Sequence, residues 1–108
     1  MIQVSACDTE CNATTSTPLT RGTVGAMARI GVTGELAGLD LTVCWKAGGA
    51  QVDQRIEGDG AVVQVPPELL ETQGATLEVG ICGEGPNRRV PTIWATVGTV
   101  HSGTADGR

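Results

Sequence analysis

Val65 to Val100 reads VPPELLETQGATLEVGICGEGPNRRVPTIWATVGTV, and this stretch decides the fold. Pro66 and Pro67 stop strand pairing, because proline has no N–H to give a ladder. Proline suits the first turn of a helix. Pro67 to Gln73 is therefore expected to make about two helical turns, with Gly74 as a left-handed cap. Leu69 and Leu70 would anchor that turn to a sheet. Leu77, Val79 and Ile81 then face one way along a strand. Gly83 to Asn87 reads as a hairpin loop, and Val90 to Val100 as the last strand. Ile93, Ala95 and Val97 would share one face of it, with Trp94 on the other. No residue of the stretch is placed for catalysis.

The chain before it continues the pattern. Ile2 to Ala6 alternates apolar and polar residues, Asp8-Thr9-Glu10 turns, and Cys11 to Thr15 returns. Thr14 to Thr20 is a Thr/Ser/Pro connector. From Thr23 to Thr33 the period of two is clearest, with Val24, Ala26, Ala28, Ile30 and Val32 on one face and Arg29 on the other. Leu36 and Leu39 tuck under the loop from Gly34 to Asp40. Leu41, Val43 and Trp45 alternate with Thr42, Cys44 and Lys46. Ala47-Gly48-Gly49 turns the chain into Val52 to Ile56, and Glu57-Gly58-Asp59-Gly60 turns it again into Ala61 to Val65. Some seven or eight short strands at this spacing suggest a sandwich or small barrel. The fold expected is an all-β, antiparallel sandwich of immunoglobulin-like or jelly-roll-like type, one domain over 1–100. Residues 101–108 would form a flexible tail or the start of a linker.

Composition narrows the core and the partners. Among 108 residues there is no Phe or Tyr, and Trp45 and Trp94 are the only aromatics. The interior must be built from Val, Ile, Leu and Ala, whose β-branched members favour strands. A net charge of −5 argues against nucleic acid, which calls for a basic face. Arg88-Arg89, the only adjacent basic pair, reads as a solvated hairpin tip. No run approaches the ~20 apolar residues of a membrane span. MIQVSACDTEC lacks the basic start and apolar stretch of a signal peptide, so synthesis and folding in the cytosol are expected.

The chemistry-bearing residues are few. Four cysteines and one histidine invite zinc, but only Cys7 and Cys11 have ligand spacing, and His101 falls in the expected tail. No metal or cofactor is expected. Cys7 with Cys11, and Cys44 with Cys82, are candidates for disulfides worth about 2–4 kcal/mol each. Free thiols are the favoured reading of both pairs after cytosolic synthesis. A Cys–His nucleophile lacks a positioned base. Carboxylate pairs could be drawn from Glu35, Asp40, Asp53, Glu57, Asp59 and Glu68, yet all fall at turns or strand exteriors. The glycine-rich turns lack a phosphate-loop ending. Asn12-Ala13-Thr14 matches a glycosylation acceptor but has no secretion signal to support it. Trp45 and Trp94 are read as core or interface anchors, together with Leu69 and Leu70, in preference to a sugar-stacking platform.

The order of these motifs resembles a family of small structural proteins from the tail or fibre region of phages and prophages of Gram-positive bacteria. The shared elements here are Gly22-Thr23-Val24-Gly25, Gly38-Leu39 with Thr42, and Trp45-Lys46-Ala47-Gly48. They continue with Val65-Pro66-Pro67-Glu68-Leu69-Leu70, Gly74, Leu77 to Gly83, and Pro91-Thr92 with Trp94-Ala95, Gly98 and Val100. The match runs from about Leu19 to Val100, and its second half is the specific part. Pro67 stands where the family tends to have Trp, Cys82 where it has an aromatic, and the aromatics common near Ile30 to Leu36 are missing. No catalytic residue comes with the resemblance. It implies a non-enzymatic building block of a virion, made in the host cytoplasm, that docks to other phage proteins in a tail, baseplate or fibre. It also implies a homo-oligomer, with a trimer as the first expectation by analogy with fibres. The alternatives are a host-receptor or carbohydrate-binding module, which needs exposed aromatics, and a head-decoration or head-fibre protein.

Overall fold

A computed structural model of the chain describes residues 1–104. The chain folds as an all-β sandwich of two packed sheets. Ten strands are present among the described residues: β1 (Ile2–Cys7), β2 (Glu10–Thr15), β3 (Leu19–Thr20), β4 (Met27–Thr33), β5 (Asp40–Ala47), β6 (Ala50–Ile56), β7 (Ala61–Gln64), β8 (Thr76–Gly85), β9 (Arg88–Pro91) and β10 (Ala95–His101). The smaller sheet runs β2-β1-β4-β7 and the larger β3-β10-β8-β5-β6, with β9 also on β8. Two pairings are parallel, β1 with β4 and β10 with β3, so the sheets are mixed, not purely antiparallel as expected.

Alternation sets the inner faces. Leu41, Val43, Trp45 and Ala47 of β5 point inward beside Leu77, Val79 and Ile81 of β8. Ile2, Val4 and Ala6 of β1 and Ala28, Ile30 and Val32 of β4 answer them from the smaller sheet. Trp45, at 0% exposure, is the largest fully buried side chain. Its indole N–H donates to Gln54 Oε1 at 2.9 Å, and Gln54 Nε2 donates to the Gln64 carbonyl of β7 at 2.8 Å. That relay ties the β6 edge of one sheet to the β7 edge of the other.

Among the boundaries that differ from the sequence reading, three bear on residues expected in the core. The strand expected from Thr23 begins at Met27, and Val24 is 75% exposed. Gly22 and Gly25 hold φ of 86° and 91°, left-handed values that break an extended run. Thr23 closes a turn back onto the Thr20 carbonyl. Second, the helical turn is shorter than expected, a 3-10 turn over Pro67–Leu70, with Leu69 and Leu70 buried. Third, the last strand is broken at 92–94. The Ile93 amide donates to the Thr9 carbonyl of the β1–β2 turn, which pulls the chain out of the ladder and leaves Ile93 63% exposed. A register shift between Thr96 and Gly98 then changes the alternation, so that Val97 and Val100 are both buried.

Glycines of β8 make room for the parts that close the sandwich. A Cβ on Gly83 would lie 2.9 Å from Leu39 and 3.0 Å from Leu36, which fill one end of the core. His101, expected in a tail, is the last residue of β10; it pairs with Thr20, and its carbonyl accepts from the Arg21 amide. The tail expected over 101–108 lies outside the described residues from 105 onward.

Trp45→Ala is expected to cost about 3–5 kcal/mol of unfolding free energy, and Val24→Ala within about 0.5 kcal/mol of nothing. Urea denaturation of the two variants measures both, and equal losses would place Val24 in the core.

Candidate functional site

The outer face of the larger sheet brings together three of the residues singled out in the sequence, Cys44, Cys82 and Trp94. β5 presents Thr42, Cys44 and Lys46 there, and β8 presents Glu78, Gly80, Cys82 and Glu84, because successive side chains alternate faces. Gly80 is the recess at the centre. A Cβ at that position would meet Thr92 Oγ1 at 3.3 Å and the Trp94 ring at 3.5 Å. The broken segment 92–94 lies over it. Thr92 repairs the ladder there, since its Oγ1 accepts from the Ile81 amide at 2.9 Å and its own amide donates to the Ile81 carbonyl. Trp94 therefore lies over Gly80 at 37% exposure, and Lys46 Nζ sits 4.2 Å from its ring centroid. A cation over an indole at an exposed site contributes about 0.5–1 kcal/mol. Cys44, Cys82, Thr92 and Trp94 line a small open cavity of about 140 Å³.

The four cysteines are free thiols. In the β1–β2 hairpin Cys11 lies opposite Ala6 and Cys7 opposite Glu10. The two thiols thus project from opposite faces, Cys7 exposed and Cys11 buried, and cannot meet. Cys11 donates weakly to the Val79 carbonyl, and burial pushes its pKa up. Cys44 and Cys82 share a face on neighbouring strands, but Cys82 pairs with Thr42 and Cys44 with Gly80. That diagonal offset separates the Cα atoms by about 7–8 Å, beyond the usual reach of a disulfide. Burial pushes the Cys44 thiol up to about 12, reinforced by the Asp53 carboxylate opposite it on β6. Arg89 holds its charge more firmly through a hydrogen bond to Cys82 and the nearby Glu84.

The other named residues do not converge. Trp45, Leu69 and Leu70 are core. Glu35, Asp40, Asp53, Glu57, Asp59 and Glu68 are all exposed. Glu35 pairs with Arg88 at 2.8 Å, and Asp59 accepts from the Val32 amide at 2.8 Å. Among the described residues no three His, Cys, Asp or Glu side chains gather closely enough to hold a metal. Sequence reasoning missed Gln54, Thr92 and the Lys46–Trp94 contact. It also read Asp8 only as a turn residue, and Asp59 as a turn residue and a solvated carboxylate. Asp8 accepts from the Glu35 amide at 2.8 Å, where Gly34 at φ 69° leaves no space for a side chain. Local turn chemistry identifies such aspartates, but not the distant amides they reach.

No protein-family model matches the chain, and no curated protein matches its sequence at a significant level.

At pH 8 iodoacetamide is expected to modify Cys7 first and Cys44 only after denaturation; peptide mapping that finds Cys44 labelled as fast as Cys7 would contradict the geometry. The raised pKa of Cys44 also sets a pH dependence. Above 9.0 the unfolded Cys44 loses its proton, while the folded form keeps it to about 12. Stability should therefore be lost as pH rises through that window. Cys44→Ala should lose less than the native chain over the same range, measured by urea denaturation in a series of alkaline buffers.

Proposed function

We propose that this chain is a non-enzymatic structural module of a phage virion, docking to other virion proteins in the tail, baseplate or fibre. What supports the reading is how the residues of the resemblance are used. Val65, Leu69 and Leu70, from the Val65-Pro66-Pro67-Glu68-Leu69-Leu70 element, are buried. Leu77 and Val79 build the core, while Gly80 and Gly83 are recesses for Trp94 and for Leu36 and Leu39. Thr92 repairs a ladder, Trp94 covers Gly80 and Ala95 is core. The motif is thus a framework: its residues determine shape and leave the surface free to vary. A part whose task is to hold shape among neighbours has that organisation. The net charge of −5 accords with it.

A carbohydrate- or receptor-binding module is the second reading, and partly exposed Trp94 is the observation in its favour. Its ring lies over Gly80 and carries Lys46 above it. Sugar stacking there would require Lys46 to leave.

The test is the composition of the particle. Particles induced from the strain that encodes the chain, purified and digested, should contain it in many copies, and an antibody should label one part of the virion. Labelling at the tail supports the reading; labelling at the head moves the docking site to a capsid; absence from intact particles ends it. For the second reading, tryptophan fluorescence titrated with host-wall glycans should change in the native chain and not in Trp94→Ala.

A further inference from the structure

We propose that the free edge of β6 pairs with β6 of a second copy of this chain, antiparallel across a two-fold axis at Gln54. Natural sheets protect their edges with short strands, bulges, prolines or lysines. Two of the other edges here show such devices, and the six-residue β2 edge of the smaller sheet lies against β10. β3 has two residues and β7 has four, and beyond β7 the side chain of Asp59 occupies the Val32 amide. β6 has seven residues, AQVDQRI, with no proline, lysine or register shift.

The backbone sets which registers are open. Gly48 and Gly49, with φ of 56° and 86°, form the two-residue turn of the β5–β6 hairpin, so Ala47 and Ala50 are a hydrogen-bonded pair. Alternation then directs the N–H and C=O groups of Gln51, Asp53 and Arg55 away from β5. Two copies can pair antiparallel only where these residues face one another. Centred on Asp53, the pairing sets two carboxylates opposite each other. Centred on Arg55, it sets two guanidiniums opposite each other and Asp53 against Glu57. Like charges directly opposite are destabilising. Centred on Val52, it leaves both charges without an opposite. Centred on Gln54, it places Asp53 against the second copy's Arg55 twice, and Val52 against its Ile56 twice.

Three features of the monomer suit that last register. Arg55 makes no hydrogen bond or ion pair among the described residues. Val52 and Ile56 are only partly buried at the rim of the core. The Gln54 side chain is already held by Trp45 and Gln64, which fixes it where the axis would pass. The result is an isologous contact, in which one patch serves both copies and closes the assembly at two. About four backbone hydrogen bonds form across it, flanked by two ion pairs on the outer face. The contact stands apart from the virion reading: particle composition tests that one, and solution mass tests this one.

Sedimentation of the full chain across a wide concentration range is the experiment. A monomer–dimer equilibrium is expected. Arg55→Asp, which breaks no hydrogen bond or ion pair among the described residues, should raise the dissociation constant at least about tenfold. Asp53→Arg should do the same, and the double swap D53R/R55D should restore dimerisation, since both members of each pair change sign together. Circular dichroism confirms that each variant is folded. A native chain monomeric throughout, a trimer, or a dimer indifferent to these charges would overturn the proposal.

Discussion

One large side chain holds the two sheets at their separation. With no Phe or Tyr in the chain and Trp94 on the surface, Trp45 alone gives the interior bulk that aliphatic residues lack. Close packing then demands that everything else approach it tightly, because a void of even a methyl group is felt in a protein interior. The indole also carries the one donor that must be satisfied when buried. Gln54 satisfies it and passes the link to β7, so the residue that fills the core also joins the layers.

β8 is the second consequence of that light core. It pairs with β5 on one side and with β9 and β10 in succession on the other. A strand in that position is usually made of bulky residues. Here its glycines give up side-chain volume, and Leu36, Leu39, Thr92 and Trp94 occupy the space. The missing aromatics are replaced by loops brought close to the sheet. The same glycines place the half-exposed thiols Cys44 and Cys82 beside Trp94, in a shallow hollow on the outer face.

The edges divide the molecule into surfaces of different character. Short strands and a capping aspartate close the β7 side of the smaller sheet and the β3 side of the larger. β6 presents a long, regular row of backbone groups, with charges of both signs on one face. In the proposed pairing of two copies the charges on that edge favour one register, since pairings centred on Asp53 or Arg55 bring like charges together.

Much was legible in the residues alone. Period-two alternation decides which side of a strand faces the core, so the all-β class and the buried faces of β1, β5 and β8 followed from pattern. Glycine pairs such as Gly48-Gly49 decide tight turns, since few other residues tolerate their backbone angles. What the chain could not announce was set by contacts distant in sequence. Val24 left the core because turns at Gly22 and Gly25 broke its strand, and Ile93 left because Thr9 captured its amide. The thiols stayed apart because register, not spacing, sets which cysteines meet. Alternation is a local property written into neighbouring residues; register and partner are collective, and exist only once two strands have chosen each other.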